Sequence, residues 1–253
     1  MIREDAEKVV YLAISIGEGL LENGAEVGRV EDTVSRILTA YGSTREDVFS
    51  ITSSLEVTAH FGDFRTVTQT RRIQNIRTDM TKVEMLNQLS RDICSADPPM
   101  DPEDAFRRYQ DIISGYGSSE LMQVLGYALV SGAFTVFFGG DAMDCVAAAC
   151  IGVVLKGVDT LLNKGITNRL LMALLWSLCG GVLANLCTFA GFGHHADLIS
   201  IGNIMLYIPG IAFTNSIRDL FYGDTITGLI RFFESVILAI TIAVGFTAAR
   251  LLF

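Results

Sequence analysis

The stretch Asp197-Leu-Ile-Ser-Ile-Gly-Asn203-Ile-Met-Leu-Tyr207-Ile-Pro209-Gly210-Ile-Ala-Phe-Thr-Asn215-Ser-Ile-Arg218-Asp219 is long and apolar enough to cross a bilayer, yet it carries Pro-Gly at its centre and charge at its end. Proline has no backbone N–H, and its ring clashes with the carbonyl four residues earlier, here that of Met205. In lipid, opened backbone is tolerated only where protein or a water-filled cavity surrounds it. The stretch therefore reads as a kinked bundle helix or as part of a substrate site in a membrane domain. Asn203, Tyr207 and Gly210 stand at i, i+4 and i+7, so they share one helical face with the break. Asn215 precedes Arg218 and Asp219 by three and four residues, within reach along a helix.

Outward from this stretch, the second half of the chain divides into apolar runs at Glu120–Gly139, Ala142–Leu162, Leu170–Ala190, Leu198–Ser216 and Ile226–Phe253. Each has the roughly 20 residues that a hydrocarbon core requires. Short connections predict a compact antiparallel bundle. Small residues four apart, Ala128 and Gly132 or Ala148 and Gly152, allow close helix approach. Asn185 and Asn203 lie at depth, where polar groups are expensive. Arg231 and Glu234 are three apart at the start of the last span. Arg218 or Arg231 suits bidentate capture of a carboxylate, and Asp219 or Glu234 suits a coupling proton if burial favours the protonated acid. A cytoplasmic rim network of these Arg/acid pairs is the competing reading. Lys156 and Asp159 read as snorkelling ends, Asp141 and Asp144 as caps at an outer turn, Asp224 as an N-cap, and His194-His195 as an exposed loop pair.

The charge distribution separates two halves. Residues 1–118 hold 20 acidic and 13 basic side chains, residues 119–253 only 8 and 6. The expected fold is an α-helical membrane protein, a five-span bundle (119–253) preceded by a small cytoplasmic α+β domain (1–118), with the boundary near Gly115-Tyr-Gly-Ser-Ser119. Orientation follows from the short connections. One side receives Arg107, Arg108, Lys164, Arg169 and Arg218 and the other only Arg250, which puts the N-terminal domain in the cytoplasm. The charged start Met-Ile-Arg-Glu-Asp-Ala-Glu-Lys has no basic n-region, so no cleaved signal peptide is expected. Five cysteines without ligand spacing point to buried hydrophobes rather than disulfides or a metal. An acidic first half without a basic patch argues against nucleic acid.

In that half, helical spacing at Val9, Leu12, Ile16 and Leu20 predicts a helix ending near Asn23-Gly24, and Val27 to Tyr41 predicts a second with Gly42 at its end. Period-two alternation from Val48 to Phe61 predicts one half-buried strand, turning at Gly62-Asp63 into a second run, Phe64–Thr70. Two further helices follow, the last capped by Asp101 with Pro102 at its first position. His60 is the only histidine of this half and has no nucleophile arranged around it. No cofactor is expected, and a membrane-anchored enzyme, or a scaffold or sensor acting through this domain, is the competing reading to an exporter. Arg71, Arg72 and Arg77 read as a solvated face.

The run Pro209-Gly-Ile-Ala-Phe-Thr-Asn-Ser-Ile-Arg-Asp219, with Gly223-Asp224 after it, resembles the signature of the threonine/serine exporter family. Gly24-Ala-Glu-Val-Gly-Arg29-Val-Glu-Asp32, Thr70-Arg-Arg-Ile73, Leu86-Asn-Gln-Leu-Ser-Arg91 and Phe138-Gly-Gly140 are similar to it too. The resemblance implies a secondary, proton-gradient-driven exporter in a bacterial cytoplasmic membrane. On such an exporter the residues read above give substrate contacts at Asn203, Pro209, Gly210, Asn215 and Arg218, proton handling at Asp219 or Glu234, and support from Asn185 and Arg231. Single-chain members are associated with threonine and serine, and split members with succinate-type dicarboxylates. Five spans match the larger subunit of the split form, which implies a hetero-oligomer with a small membrane protein of about four helices. The family pattern has a second proline shortly before Pro209 where this chain has Leu206, implying a milder break.

Overall fold

The computed structural model describes residues 3–62, 66–74, 77–115, 119–162 and 168–253. The turn residues Asp63 to Arg65, most of the Gly/Ser boundary and Lys164 lie outside the described residues. The chain forms two compact units: Met1–Tyr116 with Ala212–Phe232, and Gly117–Ile211 with Phe233–Phe253.

The first unit is built on α1 (Arg3–Glu22), which packs against α2 (Val27–Ala40), α3 (Met80–Ser95), α4 (Pro102–Ser114) and the sheet. Val9, Val10, Leu12, Ala13, Ile14, Ile16, Leu20 and Leu21 are all buried, so α1 is apolar almost all round, as a central helix must be. Asp101 caps α4 through the Glu103 N–H, with Pro102 at its start, as the sequence predicts.

The single predicted strand is in fact a hairpin. β1 (Arg45–Ile51) and β2 (Ser54–His60) pair antiparallel about Thr52-Ser53, and β3 (Thr66–Arg72) pairs on the far side of β2. Ile51 stands opposite Ser54, so partners have opposite parity and the inward set changes phase across the turn. Leu55, Val57 and Ala59 face the core from β2, while β1 turns Ser50 inward and leaves Phe49 60% exposed.

The second unit holds α5 (Glu120–Phe137), α6 (Ala142–Leu162), α7 (Arg169–Phe189) and α8 (Ala196–Ile204). Leu238, Ile242 and Phe246 of α10 (Thr225–Arg250) pack with Ala173 of α7 in the same unit. Among the described residues four helices are long and apolar enough to cross a membrane: α5, α6, α7 and α10. The stretch Leu198–Ser216 is not a continuous helix. It divides into α8 and α9 (Gly210–Tyr222), nine and 13 residues long. The chain leaves helix after Ile204 and re-enters at Gly210, so the break is complete although Leu206 replaces the second proline. Tight bonds from Leu206 N to Asn203 O (3.3 Å) and Tyr207 N to Ile204 O (2.9 Å) close the end of α8.

Close approach of α8 to α5 depends on Gly202. A Cβ there would stand 2.0 Å from Thr135 Oγ1 and 2.6 Å from the Ser131 carbonyl. Gly202→Ala is therefore expected to cost about 1–3 kcal/mol, read as a lower Tm in detergent. An unchanged Tm would contradict this packing.

Candidate functional site

In the second unit the break spans Met205 to Pro209, with Gly210 opening the next helix. The Tyr207 ring stacks on Trp176 of α7, centroids 4.8 Å apart and planes within 15°. It also packs against the clusters around Ala147, Leu155 and Ala184 and around Leu238 and Phe246. Asn203 is fully buried, and its Nδ2 donates to the Ile199 carbonyl at 2.9 Å. Its Oδ1 has no partner among the described residues, and neither do Tyr207 OH, Trp176 Nε1 or Ser131 Oγ. An unsatisfied buried polar atom costs about 1–3 kcal/mol, and water or ligand normally removes that cost. Three of the four orphans lie on the broken segment or on the ring stacked against it. Asn185 is different: its Nδ2 is spent on the Gly181 carbonyl of its own helix.

In the first unit the turn Asn23-Gly24-Ala25-Glu26 meets α9 and the start of α10. Gly24 adopts φ +93°, a conformation that favours glycine at this turn. Asn215 Nδ2 donates to the Gly24 carbonyl at 3.3 Å, Arg231 Nη2 to the Ala25 carbonyl at 3.2 Å, and Arg218 Nη1 to the Glu26 carboxylate. Arg231 Nη1 also donates to Asp219 Oδ2 at 3.1 Å, and both side chains are buried.

Two expectations from helical spacing are corrected. Asn215 bonds to Gly24 rather than to Arg218 or Asp219, because the folded turn offers it a carbonyl. Arg231 turns to Asp219 and Ala25 rather than to Glu234, which is exposed. Sequence reasoning missed Glu26 as a partner, since 192 positions separate it from Arg218.

A third correction concerns Lys156 and Asp159. They do not reach outward as snorkelling ends. Their side chains are 14% and 12% exposed and paired at 3.5 Å, with the ammonium 5.6 Å from the Tyr127 ring centroid. The available signal was an i, i+3 charge pair inside an apolar span.

His194 and His195 are exposed in the loop, as expected, and each is also bonded to a carboxylate. His194 Nδ1 meets Asp141 Oδ2 at 2.5 Å and His195 Nδ1 meets Asp144 Oδ2 at 2.7 Å. Asp144 also accepts the backbone N–H groups of both histidines, and it exchanges capping bonds with Asp141 as the sequence predicts. Atoms of Asp141, Asp144 and His194 lie within 4.8 Å of one another, a spacing that suits a cation. The same atoms are already engaged in a clasp between α6 and the segment before α8.

The Asp144 hydrogen bond raises the His195 pKa above its ordinary value, and the Asp144 N–H, then His194, lower that of Asp141. A raised histidine stabilises fully below about pH 6.5 and loses this as pH climbs through its raised value. A lowered aspartate stabilises above about pH 4 and loses this as pH falls through its lowered value. The clasp is therefore expected to hold best from about pH 4 to 6.5. A His195 NMR titration midpoint at or below the ordinary histidine value would contradict it.

His60 Nδ1 lies 2.8 Å from Thr66 Oγ1 across β2 and β3, on an exposed face.

Four bilayer-length helices and a broken segment with buried polar atoms are the architecture of a multi-pass membrane protein. The chain belongs to the threonine/serine exporter family, ThrE, whose profile matches residues 11–253. It is similar to the threonine/serine exporter of Corynebacterium glutamicum, 22% identical over 244 residues that cover 94% of this chain and 50% of that protein. The chain thus spans about half the length of the curated relative it matches. No solved structure matches.

Proposed function

We propose that the chain is the larger subunit of a two-component, proton-gradient-driven exporter of small polar metabolites, either threonine/serine-type amino acids or succinate-type dicarboxylates. The observation that carries this is the interrupted segment with its orphaned Asn203 Oδ1 and Tyr207 hydroxyl. Discontinuous helices offer backbone groups to substrate, and they are tolerated in lipid only around a cavity or within protein. Within the second unit the substrate is handled at Asn203, Tyr207 and Pro209-Gly210. Within the first unit Arg218 and Asn215 offer a carboxylate-binding pair, and Glu26 stands where a substrate carboxylate would. Arg231 holds Asp219 in place beside them.

The N-terminal domain faces the cytoplasm, the membrane is a bacterial inner membrane, and a companion of about four spans completes the transporter.

The test is counterflow in proteoliposomes, with and without the companion, using labelled serine, threonine and succinate under an imposed pH gradient. Accumulation of at least one solute that collapses with the gradient is expected. Failure of all three in every preparation contradicts the reading.

A further inference from the structure

β3 is an edge strand packed against α1, and its inward side is polar. Cross-strand partners share a face, so Val67, Gln69 and Arg71 stand on the side where β2 carries Ala59, Val57 and Leu55. Arg71 is engaged there: it meets Glu18 at 3.5 Å, and its guanidinium lies 4.9 Å from the centroid of the Tyr11 ring. Gln69 is different. Its Oε1 is shielded from water and has no donor among the described residues. Gln69 also lines a cavity of about 520 Å³ between β3, α1 and α4, with Tyr11, Pro102 and Phe106 among its walls. That volume falls in the range of roughly 300–1,000 Å³ typical of small-molecule sites. Tyr11 and Phe106 set their rings 5.3 Å apart at 55°, and Tyr11 remains 43% exposed. The charged side chains of the lining, Glu7, Lys8, Glu103 and Arg107, balance one another. Both cations are held by carboxylates, Lys8 by Glu103 at 2.8 Å and Arg107 by Asp104 at 3.3 Å. A neutral guest therefore suits the cavity better than an ion.

We propose that this cavity is a binding site for a neutral, planar nitrogen heterocycle, with its ring against Tyr11 and Phe106 and an N–H donated to Gln69 Oε1. A planar ring gains offset or edge-on contact with an aromatic pair beyond simple burial. A carboxamide oxygen only accepts, so the guest must bring the donor. The last torsion of a glutamine side chain has broad preferences, so a turn of the amide brings Oε1 from its sealed position to the guest. The bond then formed replaces no existing one, because Oε1 starts unpaired. Inward polar residues can also blunt an edge strand against pairing with another chain, a role that Arg71 already fills on this face. Such a site belongs to the first unit alone and is independent of the exporter reading.

Nicotinamide serves as the probe, a neutral planar heterocycle with an amide N–H, and methyl nicotinate is its counterpart, an ester of similar shape without one. Binding of each to the full chain in detergent is measured by ligand-observed NMR at rising concentration, with detergent alone as the blank. Nicotinamide is expected to bind saturably, and about 5-fold more tightly than methyl nicotinate, as one hydrogen bond allows. In Gln69→Leu that difference is expected to vanish, whereas Tyr11→Leu weakens both compounds and keeps their ratio. Gln69→Leu is also expected to melt no lower than wild type, because Oε1 has no bond to lose. Absence of saturable nicotinamide binding, equal binding of the two compounds by wild type, or a preference that survives in Gln69→Leu overturns the proposal. So does a Gln69→Leu variant that melts well below wild type, since Oε1 would then have a partner in the native chain.

Discussion

Replacing Arg231 by alanine is expected to lower the unfolding free energy by about 3–5 kcal/mol, because it strands the Asp219 carboxylate in a buried setting. Asp219 is 3% exposed and Arg231 8% exposed, so water does little to screen the loss. The guanidinium also satisfies the Ala25 carbonyl, which would lose its donor. In a thermal melt the change amounts to a fall of about 10 °C in Tm. Arg231→Leu combined with Asp219→Leu is expected to recover most of that, since the stranded charge, not the missing attraction, causes most of the damage. A single variant as stable as wild type, or a double variant no better than the single, would contradict the assignment.

The second large effect is on transport. Arg218→Ala is expected to raise the KM for a carboxylate-bearing solute about 10- to 100-fold, from the loss of a charge-assisted hydrogen bond of about 1.5–3 kcal/mol. Arg218→Lys should fall between, because an ammonium keeps the charge and loses the fork. Glu26→Gln separates this role from a structural one. If Glu26 occupies the position of a substrate carboxylate, freeing Arg218 lowers KM, whereas a purely structural pair leaves KM unchanged or higher. Counterflow rates across a range of solute concentrations decide between them, and an unchanged KM in Arg218→Ala removes Arg218 from the site.

Local features of the fold are legible in the sequence. The caps at Asp101 and at Asp141 with Asp144 and the helix end at Asn23-Gly24 depend on neighbours within four or five positions, and so does the place of the break before Gly210, though not its completeness. Parity across Thr52-Ser53 was not legible, because period-two alternation runs through a two-residue turn without a visible interruption. Longer-range partners were harder still. Helical spacing makes Asn215, Arg218 and Asp219 look like partners of one another, while folding supplies the Gly24 carbonyl, Glu26 and Arg231 instead. Lys156 and Asp159 are ambiguous in the sequence for a related reason. A charge three to six residues from a helix end can either reach the interface or turn inward, and only the presence of Tyr127 on the neighbouring helix decides which.

The central claim is that a polar solute enters the segment broken at Pro209, and Trp176 reports on it directly. It is the only tryptophan in the chain and is stacked on Tyr207 inside that segment. Titration of Trp176 emission with serine, threonine and succinate, in the preparation used for counterflow, is expected to give a saturable change for the exported solute. Its midpoint should match the half-saturation of counterflow. Emission that stays flat across concentrations at which the same preparation exchanges labelled solute would contradict the account.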